Sequence, residues 1–318
     1  MKVWLKKVWR LFANSFNAFM NDKALKMSAS LAYYTIFSMA PLLIMLMSLA
    51  SLFYGKEAVN AKLFHEINGF VGNSAALQIQ DIIKQISLSK GTTFAVVMGF
   101  ITLFLGATGV FIEIQDSLNQ IWKVKAKPKK GWKKMITNRI ISFSMIVSLS
   151  FLLIVSLIVN GLILALSAKL NHYFPDITVL LVNVINQLIT LIVISSLFGI
   201  IFKFLPDAKI GWKDVKVGAI FTAVLFMIGK FLIGLYIEKI GPGSAYGAAG
   251  SLIIILVWVY YTSAILYFGA EFTQVFADCY GRKIKPAEYA VHVVQTEVEK
   301  DVKVLPPQNN DIEKDKKK

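Results

Sequence analysis

The sequence has few of the residues on which enzymes and metal sites depend. It contains one cysteine, Cys279, so an internal disulfide and a cysteine-based zinc site are both excluded. Its three histidines are scattered and form no His-x-x-x-His pair. Neither a phosphate-binding Gly-x-x-x-x-Gly-Lys loop nor a Gly-x-Ser-x-Gly elbow occurs. We therefore expect no enzymatic activity, no metal and no cofactor.

Charged residues are also scarce and unevenly spread. Only 17% of the residues are charged, 56% are hydrophobic, and the mean hydropathy is +0.61. Residues 27–55 contain no Asp, Glu, Lys or Arg, and five later runs contain at most one. Because each run can cross a hydrocarbon core of ~30 Å as a helix, we predict an all-α integral membrane protein built as a six-helix bundle. The predicted spans are about 30–53, 92–112, 140–166, 178–202, 216–237 and 247–273.

The lysines and arginines predict how these helices thread through the membrane. If the segments alternate between the two sides, 27 of the 34 Lys and Arg residues fall on one side and six on the other. The remaining one, Lys230, lies inside the fifth span. Since cationic loops stay in the cytoplasm, both termini are predicted to be cytoplasmic.

The regions around the six-span domain, residues 27–276, have distinct patterns. Residues 1–26 are predicted to form an amphipathic helix on the cytoplasmic leaflet, because apolar side chains recur at helical spacing among cations. The loop 54–91 carries two apolar stripes and is predicted to form short amphipathic helices outside the cytoplasm. The polar tail 277–318 is predicted to be cytoplasmic, and disordered beyond about residue 300.

Two cationic segments predict contact with lipid. Seven of the twelve residues from Lys123 to Lys134 are lysine, and cations also cluster in Lys2–Arg10. Anionic headgroups attract such segments by roughly 1 kcal/mol per cation near the surface. Nucleic acid is the alternative partner. A short lysine loop between two spans is more often a topological signal, so we expect membrane lipids and no nucleic acid.

Special residues inside the spans are the candidate site residues. Pro41 removes a backbone donor from the first span, so we predict a kink near Phe37, with Thr35 or Ser38 bonding the freed carbonyl. Lys230 is the only formal charge deep inside a span, where an ammonium must snorkel, pair or face an aqueous cavity. The hypothetical substrate path consists of Tyr33, Tyr34, Pro41, Lys230, Tyr246 and Glu271.

Further charged residues lie at the predicted cytoplasmic ends of the spans. Glu113 and Asp116 follow the second span, Lys203 follows the fourth, and Glu271 is near the end of the sixth. These residues lie at similar depth and favour a polar inner vestibule. Ordinary interfacial charges explain them nearly as well.

A series of short motifs follows in order from about residue 20 to 280. They are Ala32-Tyr33-Tyr34 with Ser38 and Pro41-Leu42, Asn119 with Ile121-Trp122, Leu205-Pro206-Asp207, Gly218-Ala219, Ser244-Ala245-Tyr246-Gly247-Ala248, Trp258-Val259-Tyr260 and Gly269-Ala270-Glu271. With these motifs in this order, the sequence resembles the YihY/BrkB family of bacterial inner-membrane proteins. Asp207 departs from the family pattern, which has Asn after Leu-Pro.

The resemblance implies a six-span protein of the bacterial cytoplasmic (inner) membrane, in a family with links to the cell envelope and lipid handling. Some members carry labels for virulence or serum resistance. A ribonuclease label has also circulated in the family, but this sequence offers no metal cluster and no soluble nuclease domain for it.

Three functions remain open at this point. The leading hypothesis is a transporter, or a transport partner, for a lipid or another amphipathic envelope molecule. The first alternative is a non-transporting scaffold that anchors an envelope complex, with 54–91 as the surface for a protein partner. The second is a membrane enzyme.

Overall fold

The computed structural model describes residues 2–51, 77, 80, 109–127, 175–240, 250–281 and 283–294. Parts of the sequence-based predictions lie outside these residues. They are nearly all of the loop 54–91, most of the second predicted span, the whole third span 140–166, the lysines after residue 127, Tyr246, and the tail beyond residue 294.

The described residues are mostly helical. The helices are α1 (Lys2–Asn21), α2 (Ala24–Ser51), α3 (described over 109–121), α4 (Pro175–Phe204), α5 (Trp212–Ile240) and α6 (Gly250–Cys279). Helix α6 is the centre of the packing, because α1, α2 and α5 all contact it, while α4 packs against α5.

Three of the described helices are long and apolar enough to cross a membrane. The qualifying segments are Val184–Phe204, Trp212–Lys239 and Leu252–Tyr280, with hydropathies of 2.2, 2.2 and 2.0. They coincide with the last three predicted spans. The sequence places the fifth span at 216–237, whereas α5 already begins at Trp212. The carbonyl of Gly211 accepts from the amides of Asp214 and Val215, and these bonds form the first turn of the helix. A total of six spans stays a prediction.

Helices α5 and α6 cross closely at two matching positions. A Cβ on Gly218 of α5 would collide with the hydroxyl of Thr273 on α6, and one on Gly269 of α6 would collide with that of Thr222 on α5. Each threonine hydroxyl donates to the carbonyl of the glycine four residues earlier on its own helix, at 2.7 Å. Small residues with satisfied hydroxyls let two backbones approach where lipid provides no hydrophobic force between helices.

Helix α1 presents two different faces. Phe19 is buried, and Phe12 makes edge contacts with Phe221 and Phe268 at ring-centroid distances of 6.1 and 5.4 Å. On the other face Trp9 and Phe16 are exposed, with Lys6, Lys7 and Arg10 also exposed along the helix. This distribution suits a helix lying in a membrane interface.

The polar end of the molecule contains structure that the sequence analysis does not predict. Helix α3 runs to residue 121, well past the predicted span end at 112, because Ile114, Leu118 and Ile121 recur at helical spacing and are buried. Four short strands then form two antiparallel pairs: β1 (Val124–Ala126) with β4 (Ala290–His292), and β2 (Ala208–Lys209) with β3 (Lys285–Pro286).

The glycine–threonine crossings generate the first prediction. Gly269→Ala should lower the free energy of unfolding in detergent by about 1–3 kcal/mol, and with it the melting temperature. The new Cβ must push the backbones of α5 and α6 apart. Gly234→Ala is the matched control, since the described part of the chain places no other atom within 4 Å of a Cβ there. The control should be neutral or stabilising, because alanine favours a helix over glycine. Equal loss in both variants would contradict the crossing.

Candidate functional site

Lys230 lies in a groove between α4 and α5, which we name the lateral groove. Its volume is about 340 Å³. It is lined by Gln187, Thr190, Ile194, Met227, Lys230, Phe231, Gly234, Leu235 and Glu238. Four of these side chains are apolar, and the four polar ones supply an ammonium, a carboxylate, an amide and a hydroxyl. The groove is therefore amphipathic.

Two glycines near Lys230 on α5 lie in different surroundings. A Cβ on Gly229 would lie 2.6 Å from Ile265 and 2.9 Å from Tyr261, so this glycine brings α5 close to α6. Gly234 is itself a lining residue and has open space where a side chain would be, within the described part of the chain. Lys230 is half-buried, and its chain lies among Met227 and Phe231. An aliphatic stem among apolar side chains with a charged head is the usual arrangement for a lysine in lipid.

Of the tyrosines in the predicted path, Tyr33 and Tyr34 are described, and neither lines the lateral groove. Tyr33 and Tyr34 are on α2, are exposed, and meet edge to face at a ring-centroid distance of 5.9 Å. Tyr34 also contacts α3, because a Cβ on Gly109 would lie 3.1 Å from its ring. Helix α2 packs against α6, whereas the lateral groove lies between α4 and α5.

Pro41 lies within α2, whose helix continues to Ser51. The two hydroxyls that were expected to bond the carbonyl freed by Pro41 donate elsewhere. Thr35 donates to the carbonyl of Leu31 at 2.8 Å, and Ser38 donates to that of Thr35 at 2.9 Å. The expectation was wrong, because a hydroxyl on a helix reaches the carbonyls three or four residues earlier most easily.

The residues proposed for an inner vestibule differ in exposure and in contacts, and the vestibule itself stays a prediction. Glu113 is partly exposed and Asp116 is exposed, both on α3. Lys203 donates to the carbonyl of Ile210 and its Nζ lies 5.3 Å from the centroid of the Trp212 ring. Glu271 has no exposed surface at all. Asp116 does line a second groove, of about 340 Å³, together with Asn119 and Lys123.

A buried carboxylate organises the polar end of the described structure. Asp207 is only 1% exposed and follows Leu205-Pro206 after α4. Its carboxylate accepts from the side-chain amide of Asn119 at 2.9 Å and from that of Gln115 at 3.3 Å. The amide N–H of Asp207 in turn donates to Oδ1 of Asn119 at 2.8 Å. A buried carboxylate with several donors is well compensated.

The C-terminal segment, residues 283–294, closes over this carboxylate. The Ala287 amide donates to the carbonyl of Asp207 at 3.0 Å, and the Lys127 amide donates to that of Tyr289 at 2.8 Å. Burial, together with the nearby charge of Asp207, raises the pKa of Tyr289 to about 12, so its phenol stays a donor at neutral pH. We name Gln115, Asn119, Asp207 and Tyr289 the Asp207 network.

Motifs that were far apart in the sequence meet at this end of the structure. Asn119 contacts Asp207 across 88 positions, and the indole N–H of Trp122 points at the carbonyl of Ala270 at 3.4 Å, beside Glu271. Sequence reasoning used these residues only as family markers and missed the network. The available signal was their shared chemistry: two amide side chains on one helical stretch and a carboxylate after Leu-Pro.

The chain as a whole matches one known family. Residues 15–291 match the family described as Virulence factor BrkB. The chain belongs to the BrkB family. The resemblance drawn from the ordered motifs is thereby confirmed, and the matched range contains the Asp207 network, the lateral groove and Glu271.

Similar proteins of this family are named as membrane proteins. A UPF0761 membrane protein of Pseudomonas aeruginosa (strain LESB58) is 28% identical over 261 residues, which are 79% of this chain and 59% of that protein. One from Vibrio vulnificus (strain CMCP6) is 29% identical over 298 residues, which are 89% and 88% of the two chains. The chain thus spans about three fifths of the Pseudomonas relative. No solved structure matches it. This BrkB-family chain is a membrane protein.

The Asp207 network generates the second prediction. Asp207→Ala leaves the buried side-chain amides of Gln115 and Asn119 without their acceptor. The free energy of unfolding should fall by about 1–3 kcal/mol for each of these amides. Asp207→Asn should cost less, because one acceptor oxygen remains. Glu288→Gln is the control, since its carboxylate is exposed and pairs with the exposed Lys209. An unchanged melting temperature for Asp207→Ala would contradict the network.

Proposed function

We propose that this BrkB-family chain is an inner-membrane transport protein, or a transport partner, that handles a lipid or another amphipathic envelope molecule. The observation that carries the proposal is the lateral groove, with Lys230 half-buried among apolar side chains. No enzymatic step is part of the proposal. The ligand is held, and moved or presented, without a covalent change.

The chemistry of the lateral groove suggests the class of ligand. Met227, Phe231 and Leu235 offer an apolar wall for an acyl chain, and the Lys230 ammonium offers a charge for a phosphate or carboxylate headgroup. An ammonium at this depth is costly in hydrocarbon, so an anionic headgroup that comes close to it is stabilised. Gln187 and Glu238 provide polar contacts on either side, and the carboxylate disfavours a second negative group. These features favour a singly anionic amphipath.

Cations at the two ends of the groove helices support the proposed orientation. Lys203 at the end of α4 and Lys213 and Lys216 at the start of α5 lie on the side assigned to the cytoplasm, whereas Lys239 lies at the opposite end. The similar proteins come from bacteria. We place the chain in the bacterial cytoplasmic membrane with both termini inside.

Lys230 provides the third prediction. In lipid nanodiscs, Lys230→Gln should bind a singly anionic phospholipid at least about tenfold more weakly than wild type, because one charge-assisted bond worth about 1.5–3 kcal/mol is lost. Lys230→Arg should keep most of the affinity. Lys239→Gln is the matched control on the same helix, since Lys239 is exposed and outside the groove. Native mass spectrometry of bound lipid measures the effect.

The same variants test whether transport follows from binding. In proteoliposomes, wild type and Lys239→Gln should move a fluorescent anionic lipid between leaflets or to an acceptor vesicle faster than protein-free vesicles do, and Lys230→Gln should lose most of this gain. Equal binding by all three proteins would contradict the assignment of the groove. Binding without any gain in transfer would contradict transport.

The orientation can be tested with the native cysteine, in a fourth prediction. Cys279 ends α6 and is exposed. A membrane-impermeant maleimide should label it in inside-out vesicles and not in spheroplasts, because the C-terminal end of α6 is cytoplasmic in this proposal. A Cys279→Ser chain carrying Lys239→Cys, at the other end of α5, should show the reverse pattern. Labelling of Cys279 in spheroplasts would overturn the orientation.

A further inference from the structure

Glu271 is a buried acid without a partner among the described residues. The side chain has 0% exposure, and neither carboxylate oxygen has a hydrogen-bond partner in that part of the structure. It lies on α6 beside Ala270, whose carbonyl faces the indole N–H of Trp122. A buried carboxylate without donors is costly, and Asp207, buried at the same polar end, has several donors.

The charged groups that face Glu271 come from two turns packed on α6. Asp22 belongs to the turn between α1 and α2, and Lys123 to the turn between α3 and β1. Their side chains form an ion pair at 2.5 Å, and the side-chain amide of Gln120 also donates to the Asp22 carbonyl. Both turns contain a non-glycine residue with positive φ, Lys23 at 58° and Lys123 at 55°. We name Asp22, Lys123 and Glu271 the Glu271 cluster.

The charges of the Glu271 cluster do not balance. Two carboxylates and one ammonium leave one excess negative charge when all three are ionised, in a place where Glu271 has no contact with water. A low local dielectric makes such an imbalance expensive. One additional positive charge removes it.

Among the described residues, other polar groups on α5 and α6 do not supply this charge. The buried hydroxyls of Thr222 and Thr273 donate to carbonyls of their own helices. Tyr267, one turn earlier on α6, faces Ser117 and Glu113 of α3 instead.

A metal ion suits the Glu271 cluster poorly. Hard cations require about six oxygen ligands, and an ammonium at the site repels them. Within the described residues there is no group of three His, Cys, Asp or Glu side chains placed to hold a metal. A proton needs only the two carboxylates, which can share it as one O–H···O bond.

We propose that the Glu271 cluster binds one proton, shared between the carboxyl groups of Glu271 and Asp22, and that release of this proton weakens the docking of the α1–α2 turn on α6. The proposal goes beyond the lateral groove and does not depend on transport. Proton release would leave the excess charge buried, and the turn that carries Asp22 is the part able to move away from it. The amphipathic helix α1 is directly attached to that turn.

Infrared difference spectroscopy on the full chain in nanodiscs tests the proton directly. At neutral pH the wild-type protein should show the carbonyl stretch of one protonated carboxylic acid, which Glu271→Gln removes. Asp22→Asn should remove it as well, because Glu271 can then ionise against Lys123 with the charges balanced. Glu288→Gln should leave the band unchanged, because Glu288 is an exposed carboxylate that pairs with Lys209 and is not a member of the Glu271 cluster.

The second variant keeps the test decisive if Glu271→Gln does not fold, since Asp22 lies in a turn and asparagine retains its shape. A band that is absent from wild type, or that persists in Asp22→Asn, would overturn the proposal. A second contrary outcome is a rise in the melting temperature of the wild type with sodium at fixed pH that is absent in Glu271→Gln. The site would then hold a metal ion. Loss of the band in Asp22→Asn with no sodium effect supports the shared proton.

Discussion

The close crossing of α5 and α6 is the contact on which the rest of the described structure depends. Gly218 and Gly269 lie opposite Thr273 and Thr222, so the two backbones approach at two points along the crossing. In lipid, apolar side chains gain little from leaving one apolar surface for another, and close backbone packing is what holds helices together. Because α1 and α2 also pack on α6, a shift of this helix would displace every other contact near Glu271.

At the polar end of the described structure, the physical requirement is hydrogen bonding of the backbone. Chain segments that leave the membrane carry backbone groups that need partners, and the short pairs β1–β4 and β2–β3 provide them. The C-terminal segment joins two loops in this way, at residues 124–126 and 208–209. Asp207 lies at the point where these elements meet α3, and its amide donors make a buried carboxylate tolerable.

The sequence predicts the long helices well because one simple property, the absence of charge over about 20 residues, decides them. It predicts their polar ends poorly. Helix α3 continues past its apolar run because three residues, Ile114, Leu118 and Ile121, find a buried surface that other chain segments provide. Strands of two or three residues have no periodicity to detect, and their partners are remote, as with Val124 and His292.

The candidate site was predictable in part, because a charge within an apolar run is visible in the sequence. Lys230 stands out because it is a charge within an apolar run, and the structure places it in a groove. Tyr33 and Tyr34 have no such constraint, and they lie on a helix away from that groove. The charged neighbours of Glu271 were not predictable from the sequence, because Asp22 and Lys123 come near it on two turns, each containing a lysine with the positive φ that lysine rarely adopts.

Two buried carboxylates lie at one end of the described structure in opposite surroundings, and we relate one to stability and the other to function. Asp207 accepts from two side-chain amides and its backbone N–H donates to Asn119, so the network around it can be rigid. Glu271 lies near a second carboxylate and one ammonium, and neither of its oxygens accepts a hydrogen bond from the described residues. A group of this kind costs stability, and proteins keep such groups mainly where a change of state is useful. Glu271 lies on α6, the helix that α1, α2 and α5 all contact, so a change of its charge would act on the helix at the centre of the packing.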